Sequence, residues 1–60
     1  MIATAIEEMH SRPGRFRVVY WSQAEEGIAA RGSKHVWKDD LAEQEAKHEE
    51  IVCYRTLNEL

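Results

Sequence analysis

One cysteine, one proline and three glycines are all that the 60 residues hold of these types. Cys53 alone excludes a disulfide within the chain, and a single thiol agrees with a reducing compartment. Gly14, Gly27 and Gly32 are scattered, so no glycine-rich phosphate loop is formed. No apolar run approaches the roughly 18 residues of a membrane span, and residues 1–4 lack the basic start and apolar centre of a secretory leader. A soluble chain of the cytoplasm is expected. Repeats, low-complexity tracts and linkers are also missing, so residues 1–60 read as one small domain.

The formal net charge of −3 is spread unevenly, with four acids against four bases in residues 1–32 and seven against four in residues 33–60. A mildly acidic chain binds nucleic acid poorly, because non-specific binding comes from neutralising phosphates. It is not acidic enough to imitate DNA. A 60-residue domain buries only about 60% of the surface its unfolded chain exposes, and its single core supplies roughly 3–5 kcal/mol. Without a disulfide, self-association or docking onto a larger protein is the remaining cheap source of stability.

What the chain does have is Arg15-Phe16-Arg17-Val18-Val19-Tyr20-Trp21-Ser22, its densest run of β-branched and aromatic residues. A period of two puts Phe16, Val18 and Tyr20 on one face and Val19 and Trp21, behind Arg15 and Arg17, on the other. Both faces want cover.

Residues 1–10 fit two periods, since Ile2, Ala5, Ile6 and Met9 suit a helix while Ile2, Thr4 and Ile6 alternate. A strand is the more economical reading, because it would satisfy one edge of the central strand. Pro13-Gly14 favours a type II turn inside a longer connection over residues 11–15. Residues 23–31 are rich in helix formers, with Gly32 placed as a C′ glycine and Ser33 as the next cap. The main helix then starts at Ser33 or at Asp40, and Asp40 with Glu43 makes a capping-box-like pair ahead of residues 41–50. A start at Asp40 leaves His35-Val36-Trp37 extended. Residues 51–57 (IVCYRTL) read as a strand, although Ile51, Tyr54 and Leu57 also suit a helical stripe.

These elements predict a small two-layer α+β domain, a two- to three-stranded sheet covered on one face by one or two helices. Were residues 15–22 and 51–57 parallel neighbours, their crossover would be right-handed. The second face, with Val19, Trp21 and part of 51–55, would be left bare and would serve as a contact surface.

Four constellations bear on function. Glu45 and His48 have the Glu-x-x-His spacing of di-iron bundles, a site that this chain would complete only as a metal-bound homodimer. His35 and Asp39 would be an i, i+4 ligand pair on a helix. Residues 28–41 carry an Ile-Ala start, a glycine turn, a serine cap and then Lys34, His35 and Lys38. That order resembles the helix-turn-helix segment of repressors and implies a DNA-binding regulator with those three residues in a groove. The segment is shorter than the usual spacing between Ala29 and Val36, and Asp39, Asp40 and Glu43 would meet phosphates. Last, Arg12, Arg15 and Arg17 interleave with Phe16, Tyr20 and Trp21 like a stacking platform for single strands. Pairing of these arginines with Glu7 and Glu8 on a neighbouring strand is the plainer expectation.

No nucleophile and base can be linked by sequence, and Cys53 sits among apolar neighbours where a thiol is inert. The expected function is a non-enzymatic binding module without cofactor or metal, a regulator or inhibitor that docks onto a larger protein. Compact stand-alone chains of this kind are common among accessory proteins of bacteriophages and other mobile elements, and such a setting is the expectation here. A protein partner or a second copy is expected, and neither nucleic acid nor membrane. Trp21, Trp37 and Tyr20 are the candidate anchors, with Arg15 and Arg17 beside them.

Overall fold

The computed structural model describes residues 1–22 and 34–59. Among these residues three strands, β1 (Ile2–Glu8), β2 (Phe16–Ser22) and β3 (His35–Leu41), precede one helix, α1 (Glu43–Asn58). The sheet is an antiparallel meander in the order β1-β2-β3, and α1 lies across one face, mainly over β1 and β2. This is the small α+β sandwich that the sequence predicts.

Alternation decides residues 1–10 in favour of the strand. β1 and β2 pair without interruption from Ile2 opposite Ser22 to Glu8 opposite Phe16. Their connection closes when Met9 N–H donates to the Arg15 carbonyl at 2.8 Å, and Arg15 N–H donates to the Arg12 carbonyl at 3.0 Å across Pro13-Gly14. Gly14 has φ +85°, the value a type II turn demands at its third residue. The Glu8 carboxylate accepts the Gly14 N–H and ties the turn to the end of β1.

β3 is less regular. Its pairing with β2 shifts register twice, between Phe16 and Val18 and between Val18 and Val19, and Asp40 has φ +57°. Adjacent residues of a regular strand point to opposite faces. Here the shift lets Trp37 and Lys38 reach the same helix carboxylate: Trp37 Nε1 donates to Glu49 Oε1 at 3.2 Å, and Lys38 Nζ lies 3.4 Å from Oε2.

Val18, Leu41, Ala46 and Cys53 form the buried cluster, with Ile6, Phe16, Tyr20, Trp37 and Leu57 packed around it. The predicted division of β2 holds, as Phe16, Val18 and Tyr20 face the helix. The expectation that the second face lies bare does not hold at its centre, where Val19 is only 2% exposed. Val19 stands between Ala5 and Val36 across the ladder and between Arg17 and Trp21 along its own strand, so longer side chains flank it.

Three expectations are corrected. Residues 51–57 belong to α1, because Ala46, Cys53 and Leu57 recur at helical spacing and seal the sheet, and that packing outweighs the β preference of Ile51 and Val52. No parallel crossover exists between the described strands. The helix begins at neither Ser33 nor Asp40 but at Glu43, with Ala42 as an N-cap that makes no side-chain bond. Asp40 is instead the penultimate residue of β3, held by arginines, and the extended segment expected at 35–37 runs on to Leu41. Glu43 and Glu45 in the first turn and Arg55 in the last suit the helix dipole. The short helix expected over residues 23–31 lies outside the described residues.

Candidate docking surface

Alternation along three strands sorts the side chains of the sheet face opposite α1. β1 supplies Ala3, Ala5 and Glu7, opposite Trp21, Val19 and Arg17 of β2, and Val36 of β3 stands opposite Val19. Ala5, Val19 and Val36 thus form an apolar band across the sheet, with Ala3 and Trp21 on one side of it. Val36 is 50% exposed. Two ion pairs border the band. Lys34 Nζ sits 5.3 Å from the centre of the Trp21 ring and 2.9 Å from Glu7 Oε2, and Arg17 Nε lies 3.2 Å from Asp39 Oδ1.

The five candidate residues divide over three places. Trp21 and Arg17 share the face opposite α1. Tyr20 and Trp37 are half-buried on the helix side, where their rings meet edge to face at 6.3 Å and 80°, and His35 tilts against Tyr20 at 5.3 Å. Arg15 is engaged within the chain: its Nε and Nη2 reach Asp40 Oδ1 and the Asp40 carbonyl, both at 2.7 Å. Arg12 Nη1 adds a bond to Asp40 Oδ2 at 2.7 Å. The hydrogen bond from Arg15, aided by the charges of Arg12 and Arg15, holds the Asp40 carboxyl below its ordinary pKa. The arginines therefore pair with Asp39 and Asp40 of β3, and not with Glu7 and Glu8 as expected; Glu7, though opposite Arg17, pairs with Lys34, and Glu8 accepts the Gly14 N–H.

The remaining constellations are rearranged. Lys34 precedes and His35 and Lys38 lie in β3, so the second helix of a helix-turn-helix is a strand; residues 28–33 lie outside the described residues. His35 and Asp39 share a strand, where an i, i+4 pair is about 13 Å apart. Glu45 and His48 are exposed on α1, and among the described residues no three His, Cys, Asp or Glu side chains converge as metal ligands. Cys53 is fully buried, and burial foremost, then Glu50 and Glu49, pushes its thiol pKa up. Among the described residues no helix is long and apolar enough to cross a membrane.

Among the described residues, concavities lie beside β1. One of about 610 Å³ is lined by Glu7, Glu8, Met9, His10, Ser11 and Arg17 beside the hairpin. Another, of about 290 Å³, lies between β1 and α1 and is lined by Thr4, Glu50, Ile51, Tyr54, Arg55 and Glu59. Val36, Ile51 and Tyr54 are exposed apolar residues that the sequence analysis does not single out. Strand alternation through Val19 would have flagged Val36, and extending the helix through residue 57 would have turned Ile51 outward.

Comparisons with protein-family models, with curated proteins and with solved structures find no match to this chain.

Proposed function

We propose that the chain is a small non-enzymatic binding module of the cytoplasm, a regulator or inhibitor that lays the sheet face opposite α1 on a larger protein. The observation that supports this most is the apolar band Ala5–Val19–Val36 beside Trp21, bordered by the Lys34–Glu7 and Arg17–Asp39 ion pairs. An aromatic anchor within a polar border is the anatomy of a protein contact. With Val19 sheltered inside the chain, Trp21 and Val36 carry the contact. Tyr20 and Trp37 serve the domain's own packing. The buried, protonated Cys53 thiol fits a structural role. Service as an accessory protein of a bacteriophage or other mobile element belongs to the same proposal.

The test is capture of a partner from lysate of the organism that carries the chain, followed by reconstitution with that partner purified. Wild-type chain retains a stoichiometric partner, Trp21→Ala and Val36→Glu lose it, and Glu45→Ala on the far side of the domain keeps it. Failure to retain a partner, or retention indifferent to Trp21 and Val36, rejects the reading.

A further inference from the structure

The outer edge of β1 has a definite hydrogen-bonding phase. In an antiparallel pair, alternate residues turn both N–H and C=O toward the neighbouring strand. Met9 N–H bonds the Arg15 carbonyl, and counting back in register, Glu7, Ala5 and Ala3 face β2 while Glu8, Ile6, Thr4 and Ile2 face outward. The side chain of Asn58 confirms that phase: its Oδ1 accepts the Ile2 N–H at 2.8 Å and its Nδ2 donates to the Ile2 carbonyl at 3.0 Å. Asn58 satisfies the outward groups of Ile2. Those of Thr4, Ile6 and Glu8 have no partner among the described residues.

The two sheet edges differ in how they discourage pairing. β3 carries register shifts, a positive φ at Asp40 and the charges of Lys38, Asp39 and Asp40, all of which blunt an edge. β1 is regular over seven residues, contains no proline, and is uncharged from Ile2 to Ile6. We infer that the outer edge of β1 is a homodimer interface, in which Thr4, Ile6 and Glu8 pair antiparallel with Glu8, Ile6 and Thr4 of a second copy.

A second copy fits better than an extended peptide because of the layer above the edge. On the helical wheel, Ala46, Cys53 and Leu57 point into the sheet, Glu49 toward β3, and Tyr54 and Ile51 to the β1 side. Ile51 is 55% and Tyr54 40% exposed, and with Thr4 they line the groove of about 290 Å³. An added strand alone fills the edge and leaves that groove open. A two-fold axis perpendicular to the sheet brings a second α1 over the same face, so apolar flank meets apolar flank.

The experiment is sedimentation equilibrium on the 60-residue chain from millimolar to submicromolar concentration. A mass that falls on dilution from twice 7.0 kDa to 7.0 kDa is expected. Chain made by synthesis with N-methyl-Ile6 loses an outward donor while keeping its side chain and its bonds to β2, and is expected to dissociate about tenfold or more readily with an unchanged circular-dichroism spectrum. Should that variant unfold, Ile51→Glu on the exposed helix flank gives the same readout. Trp21→Ala leaves the dimer intact, which separates this interface from the docking face proposed above. A mass of 7.0 kDa at every concentration overturns the inference, including the case in which that monomer accepts an extended peptide on β1. A dimer indifferent to both N-methyl-Ile6 and Ile51→Glu overturns it as well.

Discussion

Arg15 grips Asp40 twice, with Nε on the side-chain carboxylate and Nη2 on the backbone carbonyl, both at 2.7 Å. One side chain thereby fixes both the charge and the backbone of the residue at φ +57°, and locks the β1–β2 loop to the end of β3.

Acid should undo that grip. A carboxyl whose pKa is lower folded than unfolded contributes stability that is complete above its unfolded value and disappears as pH falls through its folded value. Asp40 is lowered from 3.8, first by the Arg15 hydrogen bond, and Glu49 from 4.5, first by the Trp37 hydrogen bond. The urea midpoint is expected to hold between neutrality and about pH 5 and to fall below about pH 4. Asp40→Asn is expected to be less stable than wild type at pH 7 and to converge with it in acid. A stability gap unchanged down to pH 2 would contradict this assignment.

The Pro13-Gly14 turn makes a chiral prediction. A left-handed backbone costs an L-residue about 1–2 kcal/mol, and a methyl group at Gly14 meets open space, so Gly14→Ala should lose that amount through the backbone alone. D-alanine at the same position, which prefers positive φ, should stabilise by about 0.4–1 kcal/mol by restricting the unfolded chain. Equal effects of the two enantiomers in urea unfolding would refute it.

Trp37 and Lys38 hold the two oxygens of one carboxylate, and the tryptophan bond is the larger influence on it. Trp37→Phe keeps a ring and removes the donor. The Glu49 carboxyl pKa, followed by NMR titration, is then expected to climb toward 4.5. An unmoved titration would mean that Lys38 alone sets it.

Cys53 reports on opening. Its thiol is buried and its pKa raised, so a disulfide reagent at pH 7 should label it slowly in the folded chain and rapidly in urea. Cys53→Ser places a hydroxyl there, at a cost of about 1–3 kcal/mol if it finds no partner. Fast labelling of the folded chain would place the thiol nearer the surface.

Much of the fold is legible because two signals are local. Alternation through Phe16, Val18 and Tyr20 against Val19 and Trp21 marks β2 and its faces, and Pro13-Gly14 marks the turn type. β3 is harder, since its register shifts break the period of two: Trp37-Lys38-Asp39-Asp40 reads as a polar run that could head a helix. Residues 51–57 mislead for another reason. Their β-branched residues fit a strand, and only the sheet waiting to be covered by Ala46, Cys53 and Leu57 makes them helical. Of the candidate site, Trp21 and Arg17 follow from alternation alone. That Tyr20 and Trp37 are used in packing, and that the arginines find Asp39 and Asp40, depends on which strand lies beside β2, a non-local fact.

Asn58 clasping Ile2 places the end of α1 beside the start of β1. A short bridge from Glu59 to Met1 would therefore close the backbone into a ring with little distortion. Such a ring, cut again between residues 9 and 15, would be a circular permutant that retains β1, β2, β3 and α1, and its ability to fold would show that the joint held by Asn58 can carry a covalent connection.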